Sequence, residues 1–121
     1  MKLKWLIPGI ISFFSIVVIP AKAAETRCGW LQNPTPANWY LKDKDGNWTI
    51  SVQGGYQAGG MDNIPPFKDD QYVKTNVNYG YSCACLNVVT DRNRMRITAI
   101  NGGEQLPLST CRQDQKLLRI R

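Results

Sequence analysis

Cys83 and Cys85 flank a single alanine in the run "YGYSCACL" at residues 79–86, and no other feature limits the fold as tightly. The run reads as a β-strand, in which residues i and i+2 share a face about 6.6 Å apart with parallel Cα–Cβ vectors. A disulfide needs converging Cβ atoms and Cα atoms about 5.5–6 Å apart. No Pro, Asn-Gly or Asp-Gly interrupts the run to supply a turn. The two sulfurs therefore point together and bond apart, one to Cys28 and one to Cys111. Two pairings satisfy this, 28–83 with 85–111 or 28–85 with 83–111, and spacing alone does not choose between them.

The bonds require an oxidising compartment, and the start of the chain predicts one. Lys2 and Lys4 precede an uncharged stretch from Trp5 to Ala21, and Ala21-Lys22-Ala23 has the small-x-small form of a cleavage site. This is the layout of a secretory signal peptide over residues 1–23. The stretch is short of the about 20 apolar residues of a membrane span and contains Pro8 and Gly9. The expectation is a single domain over residues 24–121, with no membrane span after processing. Loss of Lys2, Lys4 and Lys22 takes the net charge from +6 to +3. The remaining excess lies in the last third of the chain.

An even cysteine count in an exported chain favours structural bridges. A redox pair would need a cationic neighbour or helix N-terminus to activate a thiolate, and a four-thiolate zinc site normally spaces its knuckles C-x2-C. Neither pattern is present. The chain also has no histidine, which removes the commonest general base and the commonest nitrogen ligand. We therefore expect no catalytic residue, no metal and no cofactor.

Along the chain, residues 28–37 ("CGWLQNPTPA") read as a loop because of Pro34 and Pro36. Strands are expected at Trp39–Lys42 and Trp48–Gln53 around an Asp45-Gly46 turn, which would bring Trp39 and Trp48 close together. Residues 54–70 hold four glycines and two prolines and read as a long loop. Further strands are expected at Tyr72–Thr75, at Tyr79–Thr90, and in "RMRITAI", where Met95, Ile97 and Ala99 alternate with Arg94, Arg96 and Thr98. Asn101-Gly102-Gly103 would end the last strand, leaving a tail that is either a helical turn or extended chain. The fold class is mainly β, a small antiparallel sheet protein stapled by two disulfides.

Two groups of side chains are binding candidates. Tyr56, Met61 and Phe67 lie in the irregular segment, where exposure would make a partner or sugar-stacking surface. Arg92, Arg94 and Arg96 would share a face if their strand begins early. With Arg112, Lys116, Arg119 and Arg121 they would attract an anionic glycan or an acidic partner, although the wet face of an edge strand carries the same charges. Asp62, Asp69 and Asp70 border the long loop, where solvated carboxylates are commoner than a catalytic pair. Asp43, Asp45 and Asn47 open like a calcium loop, but Trp48 and Gly54 stand where an EF-hand needs its glycine and glutamate. A turn accounts for them.

The phrases "RCGW", "NWYLKDKDGNWTIS", "GGYQAGGMDNIP", "YGYSCACL" and "LPLSTCRQD" resemble a family of small exported bacterial proteins classified as a domain of unknown function. The resemblance implies a Gram-negative envelope setting, periplasmic or secreted, and brings no catalytic residue or cofactor with it. The expected function is a non-enzymatic periplasmic binding or inhibitory protein, its loop 54–70 presenting the contact surface. Its partner would be an envelope protein or an anionic envelope polymer, and not nucleic acid. The alternatives are a glycan binder acting through the arginines and a carboxylate-based cell-wall hydrolase.

Overall fold

The computed structural model describes residues 23–117, together with Gly9 and Ser15. The leader expected over residues 1–23, and Arg119 and Arg121 of the basic tail, lie outside the described residues apart from Gly9, Ser15 and Ala23. No helix among the described residues is long and apolar enough to cross a membrane.

The described residues hold six strands and one short α-helix: β1 Glu25–Thr35, β2 Asn38–Asp43, β3 Gly46–Ser51, β4 Tyr72–Asn76, β5 Tyr79–Asp91, β6 Arg96–Leu106 and α1 Leu108–Arg112. The sheet runs β1-β2-β3-β6-β5-β4, and β1 also pairs with β5. That extra pairing closes β1, β2, β3, β6 and β5 into a barrel. Strand β4 adds to β5 at Tyr79–Ser82, beyond the end of β6. Three meandering strands are followed by a fourth, β5, which returns to lie beside the first, so the barrel has Greek-key connectivity. All pairings are antiparallel except β3 with β6.

Register fixes the shape. From Tyr81 on β5 the partners run to Gln32, Tyr40, Thr49 and Arg96, and back to β5 at Asp91, ten residues further along. The large stagger tilts the strands steeply, and a barrel of only five strands stays narrow enough to be filled by side chains. Alternation then decides what goes inside. Gly80, Ser82, Ala84, Leu86, Val88 and Thr90 of β5 all point inward and are buried. Of these, Ala84, Leu86 and Val88 form the core with Leu31, Leu41, Trp48, Ile50, Ala58, Ile97 and Ile100, where each fully buried Leu, Ile or Val contributes about 1.5–3 kcal/mol.

Several expectations are corrected. Residues 28–37 are not a loop, because β1 runs through them and pairs with both β2 and β5. The prolines are accommodated at its end, where the β1–β2 register shifts between Gln32 and Thr35, as a missing N–H donor demands. The β2–β3 hairpin turns at Lys44-Asp45 with Gly46 at φ 139°, one residue before the expected pair. Trp48 lies opposite Leu41 and Trp39 opposite Ser51, so the two tryptophans are not partners. Strand β6 starts at Arg96, after a turn over residues 92–95, and continues past Gly102 and Gly103 to Leu106. The tail resolves into α1.

The disulfides are Cys28–Cys85 and Cys83–Cys111, with Cα atoms 4.0 and 5.8 Å apart. Both leave the outer face of β5. The second bridge seals α1 over a small cluster outside the barrel, formed by Trp30, Cys83, Leu108 and Cys111.

Candidate functional site

Part of the segment expected to present a contact surface, residues 54–70, is built into the barrel wall. Strands β3 and β6 meet at one ladder position, Thr49 with Arg96, and the chain from Tyr56 to Asn63 fills the gap between them. The Ala58 N–H donates to Ile50 O, Gly59 N–H to Thr98 O, and Ile100 N–H to Gly59 O, each at 2.9 Å. The Tyr56 hydroxyl donates to Ile97 O at 2.8 Å and the Asn63 amide to Ile100 O at 2.9 Å. Gly60 sits at φ 75°, and any Cβ there would collide with the Ile100 carbonyl. Met61 and Phe67 are half-buried against the core. Phe67 stacks 6.1 Å from Trp39 and 5.0 Å from Tyr72, so these rings close one end of the barrel.

The opposite end is closed by charge. Arg27 is 5% exposed, points inward from β1 and lies 4.2 Å over the Trp48 ring. It donates at 2.8 Å to both Asp43 and Asp45 and at 3.2 Å to Glu25. Trp48 Nε1 donates to Asp43 at 2.9 Å, and Thr90 donates to Glu25. Burial works against the Arg27 cation, but hydrogen bonds to Asp45, Asp43 and Glu25 more than offset it, so the guanidinium stays charged. The Thr90 hydroxyl, ahead of Arg27, holds the Glu25 carboxyl below its ordinary value against the opposing effect of burial. Arg27 does the same for Asp45. The D-x-D-x-N segment is thus a turn whose carboxylates embrace an internal cation, a network the sequence reading missed.

The arginines separate. Arg92 and Arg94 lie in the β5–β6 turn, loosely paired with Glu25 at 3.7 Å and Asp91 at 4.0 Å. Arg96 opens β6, and its guanidinium lies 4.5 Å over the Tyr56 ring. One member of each candidate group is therefore brought together with one of the other, while Met61 and Phe67 join the core and Arg92 and Arg94 stay at the turn. Asp62, Asp69 and Asp70 are all exposed, on two 3-10 turns at residues 61–63 and 69–71.

Arg96 also belongs to a row that crosses the outside of the barrel. Residues opposite each other in a ladder share a face, so Gln32, Tyr40, Thr49 and Arg96 stand side by side on β1, β2, β3 and β6. All four are half-buried. Lys42 points outward two residues from Tyr40, in register with Trp30 and Asn47. The outward positions of β1, β2 and β3 carry no carboxylate, and neither Lys42 nor Arg96 has an ion pair among the described residues. Asp91, in register on the far side of Arg96, is instead the partner of Arg94. This face combines aromatic surface, amide and hydroxyl groups, and unpaired positive charge.

No curated protein and no solved structure matches the chain. Residues 22–118 match the family described as "Protein of unknown function (DUF4087)", and that coverage takes in every strand, both disulfides and the outer face. The chain belongs to the DUF4087 family.

Proposed function

We propose that the protein is a non-enzymatic binding module of the bacterial envelope, exported by its N-terminal leader, that takes an extended anionic ligand across the outer face of β1, β2, β3 and β6. The observation that carries this reading is the register row Gln32–Tyr40–Thr49–Arg96, with Lys42 beside it and no carboxylate at the outward positions of β1, β2 and β3. The OB-fold, a five-stranded Greek-key barrel, binds oligonucleotides and oligosaccharides on its strand face, and this analogy of architecture supports the reading. Two disulfides fit an oxidising compartment and hold the scaffold rigid, which reduces the ordering cost of binding. The seam that residues 56–63 form in the barrel wall favours the outer face over the long loop as the contact surface.

Retention on immobilised polygalacturonate and on neutral dextran tests the reading, using the oxidised protein and the variant K42Q/R96Q. Retention on the polyanion alone, falling with salt and lost in the variant, supports it. Equal retention of both proteins removes this face from the account.

A second reading, inhibition of an envelope enzyme, has its own observation. Val77 is 80% exposed at the tip of the β4–β5 hairpin and adopts φ 54°, a conformation that β-branched residues avoid. An apolar residue held out in this way suits insertion into a partner's cleft. If so, V77D removes inhibition and leaves polyanion retention intact.

A further inference from the structure

We infer that the occupant of this face is a β-1,4-linked glycan bearing a carboxylate on alternate sugars, laid across the strands with its acid group on Arg96. The inference rests on the outer-face reading and names its ligand.

Geometry comes first. Neighbouring strands are about 4.8 Å apart, close to the advance per sugar in an extended β-1,4-linked chain. Gln32, Tyr40, Thr49 and Arg96 occupy successive strands at one level, so a chain crossing them meets one side chain per sugar. Their chemistry then assigns roles. Tyr40 offers ring surface for the apolar face of a pyranose, while the Gln32 amide and Thr49 hydroxyl both donate and accept, as sugar hydroxyls require. Arg96 provides a planar fork for a carboxylate. Tyr56 lies beneath that fork at 4.5 Å and anchors its own hydroxyl on Ile97 O at 2.8 Å. The guanidinium is thus held in place before a ligand arrives.

Charge density separates this ligand from the other polyanion that aromatic and basic faces bind. Single-stranded nucleic acid carries a phosphate at every nucleotide and is held in continuously basic grooves. Here Lys42 and Arg96 are the cations on the outward positions of these four strands, with Tyr40 and Thr49 placed between them. Two cations separated by neutral groups match a chain charged at every second unit. They fall short of the unbroken run of basic groups on which single-stranded nucleic acid is held.

Calorimetric titration of the intact, oxidised protein tests the assignment. The probes are a tetrasaccharide of alternating N-acetylglucosamine and N-acetylmuramic acid, the same tetrasaccharide with its carboxyls amidated, and an oligothymidylate of matching charge. The acid form should bind about tenfold more tightly than the amide form, the effect of one charge-assisted bond pair. R96Q should erase that difference, and Y40A should weaken both forms while the thermal midpoint stays within a few degrees of the parent. Equal binding of acid and amide, or a difference that survives in R96Q, overturns the assignment. Preferred binding of oligothymidylate, lost in R96Q, overturns the glycan and leaves the outer-face reading standing. No binding of any probe, with polygalacturonate retention intact, likewise rejects the glycan alone. Loss of that retention as well would reject both readings.

Discussion

Cys28 and Cys85 face each other directly across β1 and β5 with their Cα atoms 4.0 Å apart, while the position facing Cys83 is Trp30. Register therefore decides the pairing. Cys28 meets its partner within the ladder, and Cys83, whose neighbour on β1 is occupied, reaches Cys111 on α1.

Peptide mapping without reductant should recover the 28–85 and 83–111 linkages and no free thiol. Loop closure over 57 and 28 residues corresponds to about 4 kcal/mol for each bridge. Replacing either pair by serine should therefore lower unfolding stability by about 2–4 kcal/mol in urea titrations. A mapped 28–83 linkage would mean a β1–β5 register shifted by two residues.

Replacing Arg27 by alanine leaves Asp43 buried without its cation. Removing one partner of a buried pair costs about 3–5 kcal/mol, so R27A should unfold at markedly lower denaturant. R27K keeps the charge but cannot reach Asp43, Asp45 and Glu25 together, and should fall between the two. Tryptophan emission should change in both variants, because the guanidinium lies over Trp48.

Acid should act through the same end of the barrel. Glu25 and Asp45 both titrate below their ordinary values in the folded state. Their contribution is thus present above the unfolded carboxylate range of about pH 4 and is lost as pH falls through the lowered folded values. Thermal midpoints of the parent should drop through this window, and those of E25Q/D45N should start lower and vary less. Parallel curves for the two proteins would contradict the assignment.

Gly60 tests the seam. An alanine there must hold φ 75° and push against the Ile100 carbonyl, so G60A should cost about 2 kcal/mol or more. Y56F removes only the bond to Ile97 O and should cost about 1 kcal/mol. Hydrogen exchange at the Ile100 amide, which donates to Gly59 O, should quicken in G60A.

What the residues disclosed and what they concealed divide along physical lines. Local alternation exposed β5, and strand geometry excluded a Cys83–Cys85 bond. The pairing lay hidden in β1, because Pro34 and Pro36 made a strand look like a loop. Once β1 is taken as a strand, the alternation Arg27, Gly29, Leu31, Asn33 places a cation on the inward face, and that signal was available in "TRCGWLQN". The Tyr56–Arg96 stack joins residues forty apart in sequence through the closure of β3 on β6, and no local pattern announces a contact of that kind. The stretch 54–60 looked like slack because the partners of Ala58 and Gly59, Ile50 on β3 and Thr98 and Ile100 on β6, are set by tertiary structure alone.

The paired sulfurs on β5 also govern how the molecule responds to mechanical load. Tension entering before Cys28 and leaving after Cys111 runs through Cys85, Ala84 and Cys83, a path of three backbone residues between two covalent links. Apart from these three residues of β5, the barrel between the anchors lies off that path and is shielded from the pull. A tug on the two ends of the oxidised chain stretches little more than its outer tails, and a reductant is needed before force can unravel the barrel.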